Sequence, residues 1–173
     1  GCTEQTLNRF LPAVVTQQTL LRMGVNLADV QNKRTNLNAQ EIGAAAKRAA
    51  EWKRYNRNPV FDQEEMDIIV KTGVMDLTNM QLTDGGWGWF SGFGKHSTAH
   101  LTSLVVHGLT VAQKNNVLML PDVLQRGVQW LKNQQAEELI KLKEGDWRRE
   151  HPDKLEKRRK PFKEQADNMD AFV

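Results

Sequence analysis

The chain has 173 residues, of which 39% are hydrophobic and 26% are charged, a composition typical of a globular protein with a substantial core. The net charge of +3 is small and basic residues are mixed with acidic ones, which argues against a nucleic-acid-binding protein. No apolar run approaches the length of a membrane span, and a single cysteine excludes an intrachain disulfide.

The first five residues carry the pattern with the most reactive chemistry. They read Gly-Cys-Thr-Glu-Gln, and Cys2 is the only cysteine in the chain. A thiol three residues before a glutamine can close an internal thioester: the Cys2 sulfur attacks the Gln5 carboxamide, ammonia leaves, and a stored acyl electrophile remains. A second thiol would intercept this bond by exchange. The pattern also recurs by chance and a lone cysteine can be an inert small hydrophobe, so both interpretations stay open here.

Apolar residues at steps of three and four predict a helix over residues 4–23, with one buried face. Pro12 predicts a break, with a short helical turn before it and a longer helix that starts near it. Gly24 predicts the stop of that helix. A second helix is expected over about residues 38–55, and Pro59 ends it.

Three further helices are each marked by a start signal. Asp62 predicts the N-cap of a helix that runs to Met80, Ser97 or Thr98 predicts the cap of the next, and Pro121 opens the last. The residues expected to face inward are Met66, Ile69, Val70, Val74, Leu77 and Met80 in the first of these, Leu101, Leu104, Val105, Gly108, Leu109 and Ala112 in the second, and Val123, Leu124, Val128 and Leu131 in the third.

A glycine-aromatic loop separates two of these helices. Residues 83–94 read Thr-Asp-Gly-Gly-Trp-Gly-Trp-Phe-Ser-Gly-Phe-Gly. The glycines permit tight turning, and we expect Trp87 and Trp89 to be buried between adjacent helical hairpins. A platform for a ligand is the alternative role of the loop.

The C-terminal part changes in composition. Residues 136–165 are dense in charge and short of large apolar residues, which indicates a mobile insert whose basic run at residues 157–160 is a solvated face. Residues 166–173 begin a new apolar helix and stop within its pattern. Repeated hairpins bury their faces against neighbours, so we expect a fragment of a larger protein.

The N-terminal pattern resembles the Gly-Cys-x-Glu-Gln thioester signature of the alpha-2-macroglobulin and complement family. Further segments are similar to that family in the same order, and the resemblance covers most of the chain up to about residue 134 and returns at residues 166–172. The similar segments are the proline-containing apolar helix at residues 10–15, the Asp-Gly-Gly-Trp-Gly-Trp loop of the bacterial branch at residues 84–89, the Thr-x-x-Leu-Thr-x-x-Val-Val helix at residues 98–106, and the Val-x-Trp-Leu at residues 128–131.

The resemblance implies an all-α fold, an α/α toroid of helical hairpins of which this chain makes about half. Residues 1–173 would then be a fragment of the thioester domain, with the charged insert at about residues 136–165 that has no counterpart in the family. The implied function is that of a bacterial-type alpha-2-macroglobulin, an endopeptidase inhibitor that traps proteases covalently. Each thioester reacts once, so the protein would not be an enzyme in the turnover sense.

The resemblance also implies partners and a location. The partners are attacking proteases, bound covalently through their amines, and the remaining macroglobulin-type domains of the parent chain, with no nucleic acid and no direct membrane contact. The location is periplasmic, at the cell surface or secreted. No cofactor is expected, and no metal, because His100 and His107 lack partner ligands.

In some members of the family a downstream histidine takes over the acyl group and favours hydroxyl acceptors. His151 stands at nearly the right distance after Trp130, although it lies in the unmatched insert. His96, His100 and His107 are interpreted as histidines of a helix surface or core edge. We therefore expect no histidine to take part and lysine amines to attack the thioester directly.

Two other functions stay open. A toroid enzyme such as a terpene cyclase or prenyltransferase would share the helical hairpins, but it needs an aspartate-rich motif or a zinc set of Asp, Cys and His, and neither is found. The other is a non-reactive structural or binding fragment, in which Cys2 and Gln5 never react. In this chain alone we expect the open form, because the domain that shields the thioester is missing.

Overall fold

The computed structural model describes residues 2–32, 59–92, 94–154 and 159–172, and within these ranges it contains helices and loops but no strand. The all-α prediction is therefore confirmed, whereas the toroid arrangement stays a prediction. The helix expected over about residues 38–55 lies outside the described residues. The helices are α1 (Thr3–Arg22), α2 (Leu27–Asn32), α3 (Gln63–Met80), α4 (Ala99–Lys114), α5 (Pro121–Glu150) and α6 (Asn168–Phe172), with 3₁₀ turns at Pro59–Phe61 and Pro152–Lys154.

Helix α1 runs through Pro12 without interruption, so the predicted break at this proline is wrong. Proline removes one hydrogen bond, to the carbonyl group of Asn8 four residues earlier. Both Pro12 and Asn8 are exposed, so water can bind that carbonyl group. The buried side chains of Phe10 and Val14 hold the turns on either side of the proline in place.

The end of α1 agrees with the sequence. Gly24 adopts a left-handed backbone conformation with φ of +73°. Its N–H donates to the carbonyl group of Leu21 at 3.0 Å, and the N–H of Val25 donates to that of Leu20 at 3.0 Å. These two bonds form a Schellman motif, which favours glycine at the left-handed position, so the predicted stop is confirmed.

Side chains cap α3 and α4 at their predicted starts. The Asp62 carboxylate accepts a hydrogen bond from the backbone N–H of Glu65 at 3.0 Å. Of the two candidates for α4, Thr98 is the cap, since its hydroxyl accepts from the N–H of Leu101 at 3.3 Å. Ser97 instead donates its hydroxyl to the Asp84 carboxylate at 2.7 Å. Pro121 opens α5 as predicted.

We expect Asp62→Ala to lower the free energy of unfolding of this chain by about 1 kcal/mol, because the first turn of α3 loses the acceptor for one of its free N–H groups. Urea denaturation followed by circular dichroism measures this change. Asp62→Asn is the matched control, since its amide oxygen accepts the same bond. Equal losses in the two variants would contradict the capping role.

The core lies where α1 packs against both α3 and α4, and α4 packs in turn against α5. Two helix glycines allow this close approach: Gly73 of α3 lies against the ring of Phe10, and Gly108 of α4 lies against Leu7. The inward faces predicted for α3 and α4 are confirmed, while in α5 only Val123 and Leu124 join the core. The buried apolar residues of the cluster are Leu7, Phe10, Val14, Met66, Leu77, Trp87, Val105, Leu109, Ala112 and Val123.

The charged region, which the composition indicated to be a mobile insert, begins as a continuation of α5. Helix α5 continues past residue 136 as far as Glu150, and charges three and four residues apart pair along it and support it. Lys141 lies 2.6 Å from Glu138 and Arg148 lies 3.3 Å from the buried Glu144. The later described residues then fold back on this helix, where the ring of Phe162 stacks against the Arg148 guanidinium at 4.1 Å.

Lys163 fastens the returning segment to α5. Its ammonium lies 2.6 Å from Glu138, and 3.0 Å from both Asp167 and Asp170. The hydrogen bond to Glu138, followed by that to Asp167, raises the pKa of Lys163 above its ordinary value.

None of the described helices is long and apolar enough to cross a bilayer.

Candidate functional site

The first turn of α1 brings Cys2 and Gln5 together. Cys2 is the N-cap residue, and its sulfur accepts a hydrogen bond from the backbone N–H of Gln5 at 3.4 Å. The Gln5 side-chain Oε1 accepts in return from the backbone N–H of Cys2 at 3.4 Å. This reciprocal arrangement is a capping box, so the geometry of a helix N-terminus holds the thiol and the carboxamide over the same turn.

The pair is accessible as well as close. Cys2 is half-buried, whereas Gln5 is exposed. A sulfur beside a carboxamide can form a thioester by losing ammonia, and an exposed acyl carbon can then be reached by an external amine. The arrangement is therefore chemically suited to closing an internal thioester and to transferring the Gln5 acyl group.

Thr3 anchors this turn to the glycine-aromatic loop of residues 83–94. Its side chain is fully buried, and its hydroxyl donates to the carbonyl group of Gly88 at 2.6 Å. Its backbone N–H donates to the carbonyl group of Trp89 at 3.1 Å. The loop thus fixes the residue between Cys2 and Glu4, a role that sequence reasoning missed. The available signal was the helical register, which puts Thr3 on the same buried face as Leu7.

The two tryptophans of the loop behave differently. Trp87 is fully buried, its indole N–H donates to the carbonyl group of Leu77 at 2.8 Å, and its ring fills the space beside Gly127. Trp89 is 50% exposed, so the expectation that both indoles are buried is wrong. The backbone of Trp89, rather than its ring, faces the interior, because its carbonyl group accepts the hydrogen bond from Thr3.

Asp84 braces the loop from its other end. Its carboxylate accepts hydrogen bonds from the Ser97 hydroxyl at 2.7 Å, the Gly86 N–H at 3.1 Å and the Trp130 indole at 2.9 Å. Partial burial acts to raise the pKa of Asp84, but these bonds together hold it below its ordinary value. The loop is therefore tied to α5 through Trp130 while it holds α1 through Thr3.

A groove of about 350 Å³ lies beside Gln5, between α1 and α3; we call it the Gln5 groove. Its floor is apolar, and it contains one acidic and one basic side chain, Asp76 of α3 and Arg9 of α1. The lining residues are Gln5, Thr6, Arg9, Phe10, Ile68, Ile69, Thr72, Gly73, Asp76 and Met80. Nothing in the sequence pattern indicated this groove.

The structure does not bring His151 to the pair. His151 caps the C-terminus of α5, where its ring stacks on Trp147 with centroids 4.5 Å apart. It lies 24 residues beyond Gly127, which packs on Trp87, so the helix carries it about 36 Å along its axis from that contact. The other histidines, His96, His100 and His107, are exposed.

In the described part of the chain, no group of three or more His, Cys, Asp or Glu side chains is close enough to hold a metal ion.

The fold and the site together define the class of this protein. It is helical, and it has a cysteine and a glutamine paired at a helix N-terminus. The chain is similar to a protein named Alpha-2-macroglobulin from Thermotoga maritima, with 30% identity over 132 residues. The matched region is 76% of this chain and 6% of that protein, so the chain spans a small part of the relative's length. The similarity supports a relationship to the alpha-2-macroglobulin family. No family model and no solved structure matches the chain.

Proposed function

We propose that this chain is part of the thioester domain of a bacterial-type alpha-2-macroglobulin, in which Cys2 and Gln5 form an internal thioester that acylates an attacking protease. The observation that carries the proposal is the reciprocal hydrogen bonding of Cys2 and Gln5 at the start of α1. The similarity to the Thermotoga protein supports the family named in this proposal.

Closure of the ring needs no cofactor. The Cys2 sulfur attacks the side-chain carbonyl carbon of Gln5, a C–S bond forms, the C–N bond breaks, and the nitrogen leaves as ammonia with the thiol proton. The backbone between the two residues has to keep its turn while this occurs, and the buried hydroxyl of Thr3 holds it there. Holding the reacting groups in one turn supplies the rate advantage of an intramolecular reaction.

Transfer to the protease uses a thiolate as the leaving group. A lysine amine of the protease attacks the acyl carbon, a C–N bond forms, the C–S bond breaks, and the displaced sulfur takes up the proton that the amine loses. The thioester is consumed once, so the protein acts as an inhibitor rather than as an enzyme. The position of His151 at the far end of α5 favours direct attack by amines over a histidine relay and hydroxyl acceptors.

The remaining macroglobulin-type domains of a full-length protein are the partners proposed for this chain. In that setting they would shield the thioester from water until a protease cleaves the protein. The proposed location is the periplasm, the cell surface or the extracellular medium, where such a protease would be met.

The full-length protein should have an intact mass lower than its sequence by one ammonia, and methylamine should add at Gln5 and release the Cys2 thiol. Cys2→Ala and Gln5→Ala should each abolish both effects, because either substitution removes one half of the thioester. Gln18→Ala on the same helix is the control and should behave as the wild type. Mass spectrometry of the intact and digested protein measures these changes.

A free thiol and an unmodified Gln5 at every stage of preparation would contradict the proposal. The chain would then be a non-reactive structural or binding fragment.

A further inference from the structure

We propose that the Gln5 groove is an acceptor site that selects protonated alkylamines, the chemistry of a lysine side chain, through the carboxylate of Asp76. The inference rests on the proposed thioester and extends it, because it names the residue that chooses the acceptor. Neither the sequence motif nor the similarity to the relative points to Asp76.

The register of α1 and α3 places Asp76 close to Gln5. The two helices are antiparallel, since Gln17 of α1 donates to the carbonyl group of Val60 just before α3, whereas Thr6 lies 3.9 Å from the sulfur of Met80 at its end. Between these contacts, Gly73 meets Phe10. Asp76 therefore lies level with the α1 turn between Phe10 and Thr6, about one helical turn or 5 Å along the axis from Gln5.

The walls of the groove suit the stem of a lysine. The floor is formed by the ring of Phe10, which is 1% exposed, and by the half-buried side chains of Ile69 and Met80. Methylene groups pack on such surface while the charged head keeps a polar partner. A volume of about 350 Å³ is near the lower end of the range for ligand pockets, which fits one side chain rather than a folded peptide.

The charge of the groove suits the head group. Asp76 is half-buried, and its carboxylate has no ion pair or hydrogen bond to the side chain of another described residue. A carboxylate in a partly dehydrated groove attracts a cation more strongly than one in open water. Arg9 lines the same groove and opposes a cation, but it is exposed, so solvent screens it more than it screens Asp76.

The position of Asp76 in the groove sets the order of the steps in acyl transfer. The amine enters as an ammonium, stays beside Asp76, and loses one proton to water before it attacks. As its nitrogen forms a bond to the Gln5 acyl carbon, the nitrogen becomes positively charged again beside Asp76, the C–S bond breaks, and the second proton goes to the Cys2 sulfur. A small nucleophile that attacks without occupying the groove gains nothing from Asp76, so the groove raises the preference for lysine without changing the intrinsic reactivity of the thioester.

The test compares two nucleophiles on the full-length protein at neutral pH. Nα-acetyl-lysine amide represents the lysine acceptor, and hydroxylamine is a small neutral nucleophile that reports the thioester itself. We expect Asp76→Asn to slow incorporation of the lysine analogue by about threefold to fivefold, the effect of a partly exposed ion pair, and to leave the hydroxylamine rate unchanged. Arg9→Gln should raise the lysine rate.

Asp67→Asn is the matched control. It makes the same change of charge on the same helix, but nine residues earlier, which is two and a half turns and hence the opposite face of α3. Both rates should match the wild type in this variant.

Each outcome decides the inference. A ratio of lysine to hydroxylamine rates that is the same in Asp76→Asn and Asp67→Asn overturns it, as does an equal slowing of both nucleophiles by Asp76→Asn. In either case the hydroxylamine reaction of the wild type leaves the proposed thioester standing. A wild type that reacts with neither nucleophile overturns the proposed function and this inference together.

Discussion

Trp87→Ala should lower the free energy of unfolding of this chain by about 3–5 kcal/mol, the range for deleting a large aromatic side chain from a core. Trp87 is fully buried, and it packs where α4, α5 and the glycine-aromatic loop meet. A Cβ on Gly127 would lie 2.7 Å from its ring, so the indole packs directly against the backbone of α5, and its removal leaves a cavity there. Urea denaturation measures the loss.

Trp89→Ala is the matched control, because it deletes the same side chain two residues further along the loop. Since the Trp89 ring is 50% exposed, we expect a cost below about 1 kcal/mol. Trp87→Phe should fall between the two, because it keeps an aromatic ring and loses the hydrogen bond to the carbonyl group of Leu77. Similar losses of unfolding free energy in the two alanine variants would contradict the packing role of Trp87 in the core.

Thr3→Val should destabilise the chain by about 1–3 kcal/mol and lower the fraction of the full-length protein that closes its thioester. Valine has nearly the shape of threonine, so the change removes the hydroxyl and leaves the buried carbonyl group of Gly88 without its donor at 2.6 Å. The first turn of α1 then loses one of its two links to the loop. Denaturation measures the stability, and the yield of bound methylamine measures the closed thioester.

Thr19→Val is the control for Thr3→Val, because it tests whether removing a threonine hydroxyl elsewhere on α1 has the same effect. Thr19 is exposed on the same helix, and its hydroxyl donates to the carbonyl group of Val15 at 2.8 Å within the helix itself. We expect a change within about 0.5 kcal/mol and an unchanged thioester yield. A Thr3→Val protein with full thioester yield would show that the loop does not position the reactive turn.

Trp87 and Thr3 connect the core with the turn of the proposed thioester through one loop. Trp87 holds the loop between helices, and the next two carbonyl groups, of Gly88 and Trp89, hold Thr3. The motif at residues 1–5 and the motif at residues 84–89 therefore form a single unit, although about eighty residues separate them. Substitutions that disrupt the packing of Trp87 should therefore also disturb the first turn of α1.

Local signals in the sequence were enough to predict several boundaries. Asp62 and Thr98 cap α3 and α4, and Gly24 closes α1, because each depends on hydrogen bonds within a few residues. The inward faces of α3 and α4 follow for a similar reason, since a helix repeats every 3.6 residues whatever it packs against. The pairing of Cys2 and Gln5 is of the same local kind, a capping box within one turn.

Other features depended on contacts that no local pattern contains. Pro12 does not break α1, because burial of the flanking apolar face outweighs the loss of one exposed hydrogen bond. The composition of residues 136–165 indicated mobility, yet the charges up to Glu150 pair along a helix. The rings of Trp87 and Trp89 look equivalent in the sequence, but the ring of Trp87 is buried, whereas Trp89 is exposed and only its carbonyl group is bound by Thr3.

The sequence by itself therefore determined the helical class, most helix ends, and the pairing of Cys2 with Gln5, because all of these follow from interactions within a turn or two of backbone. The tertiary structure alone decided which loop residues are buried, that Thr3 anchors the first turn of α1, and that Asp76 lines the same groove as Gln5. The last two features join segments 70 or more residues apart, and such contacts depend on how α1 packs against α3 and the loop rather than on any local pattern.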